Sequence, residues 1–247
     1  MRLILQFQKD GVIELPIHYN YIIQSLIYRY MGKGLGDLVH NKGFPYEKRS
    51  YKFFTFSRLL GKSLLKGDKI LFTPPVKFIF SSPKLNILEN FAENIISVKE
   101  IPLGGNEVYL EGIEVKLTPA LSGSVKIRML SPMTIYSTLT DVKGRKKTYY
   151  YTPWEKDFSL LMRDNLRRKY EALYGRSGEG KEFEIKPLKV KKEDEKIVIY
   201  KGTVIKGWMG IYEIEGDSEL MRLAYEAGLG AKNPQGFGCI EIVAGRG

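Results

Sequence analysis

The chain has 247 residues, 43% of them hydrophobic, enough for one large domain or two of about 120 residues, each with its own core. Lys plus Arg number 39 against 28 Asp plus Glu, and this +11 excess makes a polyanion the leading class of partner. A single cysteine, Cys239, excludes an intrachain disulfide and a cysteine-cluster zinc site, and two histidines, His18 and His40, exclude a histidine-rich metal centre.

In chain order, MRLILQF reads as a strand. Its apolar run ends at Gln6, Lys9 and Asp10, too soon for a secretory core or a membrane span, so the expected compartment is the cytoplasm. A helix is predicted from about Pro16 to Met31, with the proline in its first turn. A basic loop through Lys42, Lys48 and Arg49 leads to the strand YKFFTFSRLL. DKILFT and VKFIFS then read as a hairpin-like pair around Pro74 and Pro75. LNILENFAENII is helical, with Leu85, Leu88, Phe91 and Ile95 near helical spacing, and NEVYLEGIEVKL supplies further strand.

The second half repeats this grammar. SVKIRMLSPMTIY is a strand broken at Pro132, and the basic turn DVKGRKKTYYYTP leads to a helix from about Trp154 to Tyr174. Strands follow around FEIKPLKV, KIVIYKGTVI and WMGIYEI. Asp217 or Ser218 caps a last helix that stops at Gly228, and Cys239–Val243 reads as a closing strand. Strand–helix–strand–strand–helix–strand thus occurs twice. The expected architecture is α+β, two tandem ferredoxin-like (βαββαβ) units packed side by side with extra β-hairpins, divided into residues 1–120 and 121–247.

Four glycines, Gly228, Gly230, Gly236 and Gly238, fall within eleven positions between the last helix and strand. A dinucleotide site needs the reverse order, glycines before a helix N-terminus. The loop either lines an anion site with backbone N–H groups or serves tight turn geometry.

On the first helix, Tyr19, Ile22, Ile23, Leu26, Ile27 and Tyr30 share one apolar face, and Tyr28 lies opposite with Tyr21 and Gln24. Tyr28 is therefore either docked against another domain or exposed for use. His40 stands between that polar face and the basic loop, where bound phosphate favours an imidazolium able to protonate a leaving oxygen. His18 has no such company and reads as structural. Lys52, at the entry of the next strand, is either a snorkelling surface lysine or a fixed charge beside a phosphate. Lys48 and Arg49, then Lys143, Arg145, Lys146 and Lys147, and Arg163, Arg167 and Arg168 form cationic groups. Tyr149, Tyr150 and Tyr151 follow the second group directly, an interleaving that suits single-stranded RNA. No Walker loop, nucleophile elbow, zinc-protease helix or EF-hand loop is present, and neither metal nor cofactor is expected.

Together YNYIIQSLIYRYM, GDLVHNKG with SYKFFTFSRL, and the terminal GLGAKNPQGFGCIEI resemble the CRISPR repeat-cleaving endoribonucleases of the repeat-associated RAMP superfamily, over nearly the whole chain. The resemblance implies catalytic Tyr28, His40 and Lys52, with Lys48 as the substitute cation. It also implies an RNA-binding glycine loop in which Lys232, Asn233 and Gln235 offer polar contacts. The implied reaction is metal-independent maturation of precursor crRNA, by 2′-OH attack that leaves a 2′,3′-cyclic phosphate and a 5′-OH. Free imidazole titrates near 6.5 and free phenol near 10, which favours His40 for proton transfer and Tyr28 for orientation. The implied partner is CRISPR repeat RNA, with no membrane; a homodimer and a CRISPR effector complex stay open. The rival readings are a non-catalytic crRNA-binding subunit and a small-molecule enzyme on the same fold.

Overall fold

The computed structural model describes residues 1–140 and 143–243. Asp141 and Val142, at the start of the expected basic turn, and the last four positions of the second unit lie outside the described residues. The fold is α+β, built as two ferredoxin-like units with additional hairpins. In the first, Arg2–Gln8 is flanked by Asn106–Lys116 and Lys69–Ser81, both antiparallel, and Leu60–Lys66 pairs with the far edge of Lys69–Ser81. In the second, Val125–Met129 is flanked by Ile211–Gly216 and Ile240–Ile242, with Phe183–Lys189 outside Ile211–Gly216. Both units show the same interleaved strand order, in which the first strand lies between the third and the fourth.

Helix formation follows the apolar spacing. Asn20–Tyr30 buries Ile23, Leu26, Ile27 and Tyr30 against the first sheet, and Leu85–Ile96 buries Ile87, Leu88, Phe91 and Ile95 beside them. Leu85, expected on that face, is exposed at the helix start. In the second unit Phe158, Met162, Leu166 and Tyr170 of Lys156–Tyr174 pack with Leu220, Leu223 and Ala224 of Ser218–Ala227. Asp217 caps the latter by accepting from the Glu219 N–H at 2.9 Å, and Gly228 ends it.

Three expectations are corrected. The first helix begins at Asn20, because Pro16 closes the short strand Ile13–Pro16, where it pairs with Lys69. Pro74 and Pro75 do not separate two strands but lie inside the single strand Lys69–Ser81. The pairing with Ile13–Pro16 ends at Phe72 and that with Arg2–Phe7 starts at Val76, so the prolines sit where these two ladders need no N–H. The segment YKFFTFSRLL is not one strand: Phe53 has a φ of 50° and breaks it, so Lys52 does not continue a regular face with Phe54 and Phe56.

The halves are joined by polar side chains that find backbone partners across the interface. Arg2 is fully buried, with Nη1 donating to the Ile240 carbonyl and Nη2 to the Tyr225 carbonyl, each at 2.8 Å, while its guanidinium lies 3.5 Å from the centre of the Tyr225 ring. Asn20 and Gln24 of the first helix donate to the carbonyls of Gln235 (2.8 Å) and Pro234 (2.6 Å), and Thr55 donates to Phe237 at 2.9 Å. The glycine loop is thereby held on the first unit.

Candidate active site

The first helix is followed by a short helix, Lys33–Asp37, and a wide turn of π-helix, Leu38–Lys42, which carries His40. Gly36 permits the close approach: a Cβ there would stand 2.6 Å from the Tyr28 carbonyl oxygen. His40 is brought edge-on to Tyr28, with ring centroids 4.7 Å apart and planes at 89°. Tyr28 is supported on its other side by Phe54, 5.6 Å away. His40 is exposed, and its Nδ1 faces Asn41 Oδ1 at 2.9 Å. With Asn41 accepting, Nδ1 carries the hydrogen and Nε2 is left for proton exchange.

Lys52 Nζ donates to the His40 carbonyl at 2.9 Å. The three residues implied as catalytic thus line one cavity of about 320 Å³, joined there by Gln24, Tyr200, Lys201, Lys232 and Gln235. Burial, with the Tyr200 hydroxyl nearby, holds the Tyr28 phenol well above its ordinary range, so at neutral pH it is a hydrogen-bonding group rather than a base. Partial burial lowers the Lys52 ammonium below the usual lysine range. Lys48 is exposed in the turn of a small hairpin and does not line this cavity.

The basic loop is that hairpin, Phe44–Tyr46 paired with Arg49–Tyr51, fastened to Lys156–Tyr174 by a Tyr46–Glu171 hydrogen bond of 2.8 Å. It places Arg49 on a larger cleft of about 880 Å³ between the halves, which shares Lys52, Lys232 and Pro234 with the smaller cavity. Arg49, Lys52, Arg168, Lys169 and Lys232 line this cleft, and no carboxylate is among the described residues that do. The Lys232 ammonium lies 5.2 Å from the centre of the Tyr136 ring.

Of the glycine loop, Gly230, Lys232 and Asn233 line the cleft and Gln235 the smaller cavity. Asn233 is nonetheless buried, its Nδ2 donating to the Leu229 (2.9 Å) and Phe237 (3.0 Å) carbonyls, so its amide N–H groups brace the loop rather than offer RNA contacts. Nor are the glycines bare toward the cleft. A Cβ at Gly236, whose φ is 84°, would lie 2.6 Å from both Asn20 Nδ2 and the Phe56 ring, and Gly228 and Gly238 are also enclosed by protein atoms. The helix–glycines–strand order serves tight docking on the first unit. Lys143, Arg145, Lys146, Lys147 and Tyr149 belong to the hairpin arm built on Tyr136–Thr140 and Lys146–Tyr150 and line neither cavity. Tyr149 donates to Glu155 at 2.8 Å.

Sequence reasoning missed Lys169, which is 3% exposed and donates through Nζ to the carbonyls of Gly228 (2.7 Å) and Gly230 (2.8 Å). Burial pulls its pKa down to about 7. Tyr200 and Lys201, at the tip of the hairpin Glu195–Tyr200 with Thr203–Trp208, were missed as well. The Tyr200 hydroxyl donates to Gln24 Oε1 across the halves. Among the described residues no group of three or more His, Cys, Asp or Glu is arranged to hold a metal, and no helix is long and apolar enough to cross a membrane.

The chain is 28% identical over 248 residues to CRISPR-associated endoribonuclease Cas6 1 of Methanocaldococcus jannaschii, covering 97% of this chain and 92% of the relative. It is 26% identical over 237 residues to CRISPR-associated endoribonuclease Cas6 of Pyrococcus furiosus, covering 95% and 86%. A solved structure described as CRISPR associated protein Cas6 superposes with a TM-score of 0.81 at 26% identity, covering 99% of each chain. The family models for the N-terminal and C-terminal parts of CRISPR-associated protein Cas6 match residues 14–114 and 115–242, and the chain belongs to the Cas6 family.

Proposed function

We propose that this protein is an endoribonuclease that cuts CRISPR repeat RNA to mature precursor crRNA, without a metal ion. The observation that carries the reading is the meeting of Tyr28, His40 and Lys52 around one open cavity, continuous with a cationic cleft between the halves. Relatives over nearly the full chain that are named CRISPR-associated endoribonuclease support the same class of activity. Residues 1–120 form the catalytic half in this reading, and residues 121–247 supply the glycine loop and most of the cleft's remaining charge.

The 2′-oxygen beside the scissile phosphate forms a bond to phosphorus, and its proton passes to solvent. The P–O5′ bond breaks, and the leaving oxygen takes a proton from the His40 imidazolium at Nε2, giving a 2′,3′-cyclic phosphate and a 5′-OH. Lys52, held on the His40 carbonyl, stabilises the charge that builds on the phosphorane oxygens. Tyr28 stays a neutral phenol and orients the imidazole or the phosphate by contact and hydrogen bonding.

Incubation of the protein with candidate repeat RNAs in excess EDTA tests this. Cleavage to a cyclic phosphate is expected, together with complete resistance when the nucleotide at the cut is 2′-deoxy. Tight binding of every repeat without any cut would instead identify a crRNA-holding subunit.

A further inference from the structure

The floor of the large cleft has a polar residue that the reaction does not use. Asn165, on Lys156–Tyr174, is 5% exposed, and its Oδ1 is enclosed with no hydrogen-bond partner among the described residues. A buried carboxamide oxygen without a donor is costly to the fold, and a ligand entering the cleft can supply that donor. Asn165 borders the cleft with Arg168 and Lys169, three and four residues further along the helix and therefore on the same side. Lys169 spends two of its N–H groups on the Gly228 and Gly230 carbonyls, and an ammonium has three. Aromatic rings line the same cleft: Tyr51, stacked on Phe53 at 5.5 Å and 21°, and Tyr136, whose centre lies 5.2 Å from the Lys232 ammonium.

We propose that this floor is a subsite for one unpaired adenine of the bound RNA, with the Asn165 carboxamide on the adenine N6 and N7 edge, the base against an aromatic face, and its phosphate on Arg168 and Lys169. A carboxamide offers an acceptor and a donor side by side. Adenine (N6 with N7) and unpaired cytosine (N4 with N3) present the matching amine and ring nitrogen, and uracil does not. The larger purine face stacks better on an aromatic ring, which selects adenine. Splayed bases read on their edges and stacked on aromatic rings are the general mode of single-strand RNA recognition. The subsite rests on the RNA-cutting function proposed above but lies apart from His40, so it fails or stands separately. It predicts a base preference, and Tyr28, His40 and Lys52 alone predict none.

Twelve-nucleotide oligoadenylate and oligouridylate, titrated at one salt concentration, provide the probe. Wild-type protein is expected to bind oligoadenylate at least tenfold more tightly, and 7-deazaadenosine, which lacks the N7 acceptor, is expected to cost most of that preference. Asn165→Leu removes the carboxamide at similar volume and is expected to bind both oligomers equally, with an unchanged circular dichroism spectrum. Arg49→Ala is expected to weaken both oligomers by the same factor. Equal wild-type affinity for the two oligomers, full tolerance of 7-deazaadenosine, or an Asn165→Leu protein that keeps the preference overturns the subsite. The analogue measurement needs no variant, so a misfolded Asn165→Leu leaves the proposal open to refutation. Absence of binding by wild-type protein to both oligomers and to every candidate repeat RNA would overturn the RNA function itself.

Discussion

Lys52 donates its ammonium to the backbone carbonyl of His40 at 2.9 Å, so the cation is tethered to the residue whose ring it flanks rather than to an acidic side chain. Among the described residues no carboxylate pairs with this charge, which stays available to a phosphate. Lys52→Met is expected to slow single-turnover cleavage by about 10²–10³-fold with a smaller effect on RNA affinity. Partial burial lowers the Lys52 pKa, so its charge is present at low pH and is lost as pH rises through that lowered value. The wild-type rate is expected to fall on the alkaline side below the ordinary lysine range, and Lys52→Arg to carry that limb to higher pH.

Tyr28 is expected to matter by position rather than by ionisation. Its phenol is held above the usual range by burial, so none of the rate between pH 6 and 9 depends on a phenolate. Tyr28→Phe should lower the rate by about tenfold or less and leave the shape of the pH–rate profile unchanged, whereas His40→Ala should cost about 10²–10⁴-fold. A change of profile shape in Tyr28→Phe, measured by single-turnover cleavage, would return the tyrosine to the role of base.

The buried Lys169 makes stability depend on pH. Its pKa is about 7 in the fold and near 10.4 in the unfolded chain, so the unfolded state holds more protons between those values. The sign follows: burial of the charge costs most below pH 7, and stability recovers as pH rises above it, by at most about 1.4 kcal/mol per unit. Lys169→Met has no such titration. Denaturant melts at pH 7, 8 and 9 should show wild type gaining on Lys169→Met at each step.

Gly236→Val tests the docking of the glycine loop. The added carbons meet Asn20 and Phe56 at a left-handed φ, and a loss of about 1–3 kcal/mol is expected, read as a lowered melting temperature. Gly34→Ala, on the short helix where a Cβ meets nothing within 4 Å, should leave the melting temperature unchanged or raise it.

The twofold strand–helix grammar was legible because local signals agreed: strand-like runs, apolar stripes on the first two long helices, and Asp217 and Gly228 bracketing the last one. Tyr28 stood out because it lies opposite its helix's apolar face, and His40 because of the charges around it. What stayed hidden depends on long-range partners. Lys169 reads as one more cation of a basic helix until the carbonyls of Gly228 and Gly230, about sixty positions on, are folded over it. Nothing in the strand-like run MRLILQF marks Arg2, yet it is fully buried and bonded to residues more than two hundred positions away. The glycine spacing was visible, but the purpose of the glycines was not. Their missing side chains make room for Asn20, Thr55 and Phe56, which no local pattern announces.

Arg2 closes the molecule on itself, gripping Tyr225 and Ile240 from the second residue of the chain. During synthesis that guanidinium waits with its partners unmade until Tyr225 and Ile240, more than two hundred positions later, have emerged, and contacts so distant along the chain are among the slowest to close. The cationic cleft between the halves is therefore completed only after residue 240 has been made, and a nascent fragment that stops at the first unit lacks its second wall.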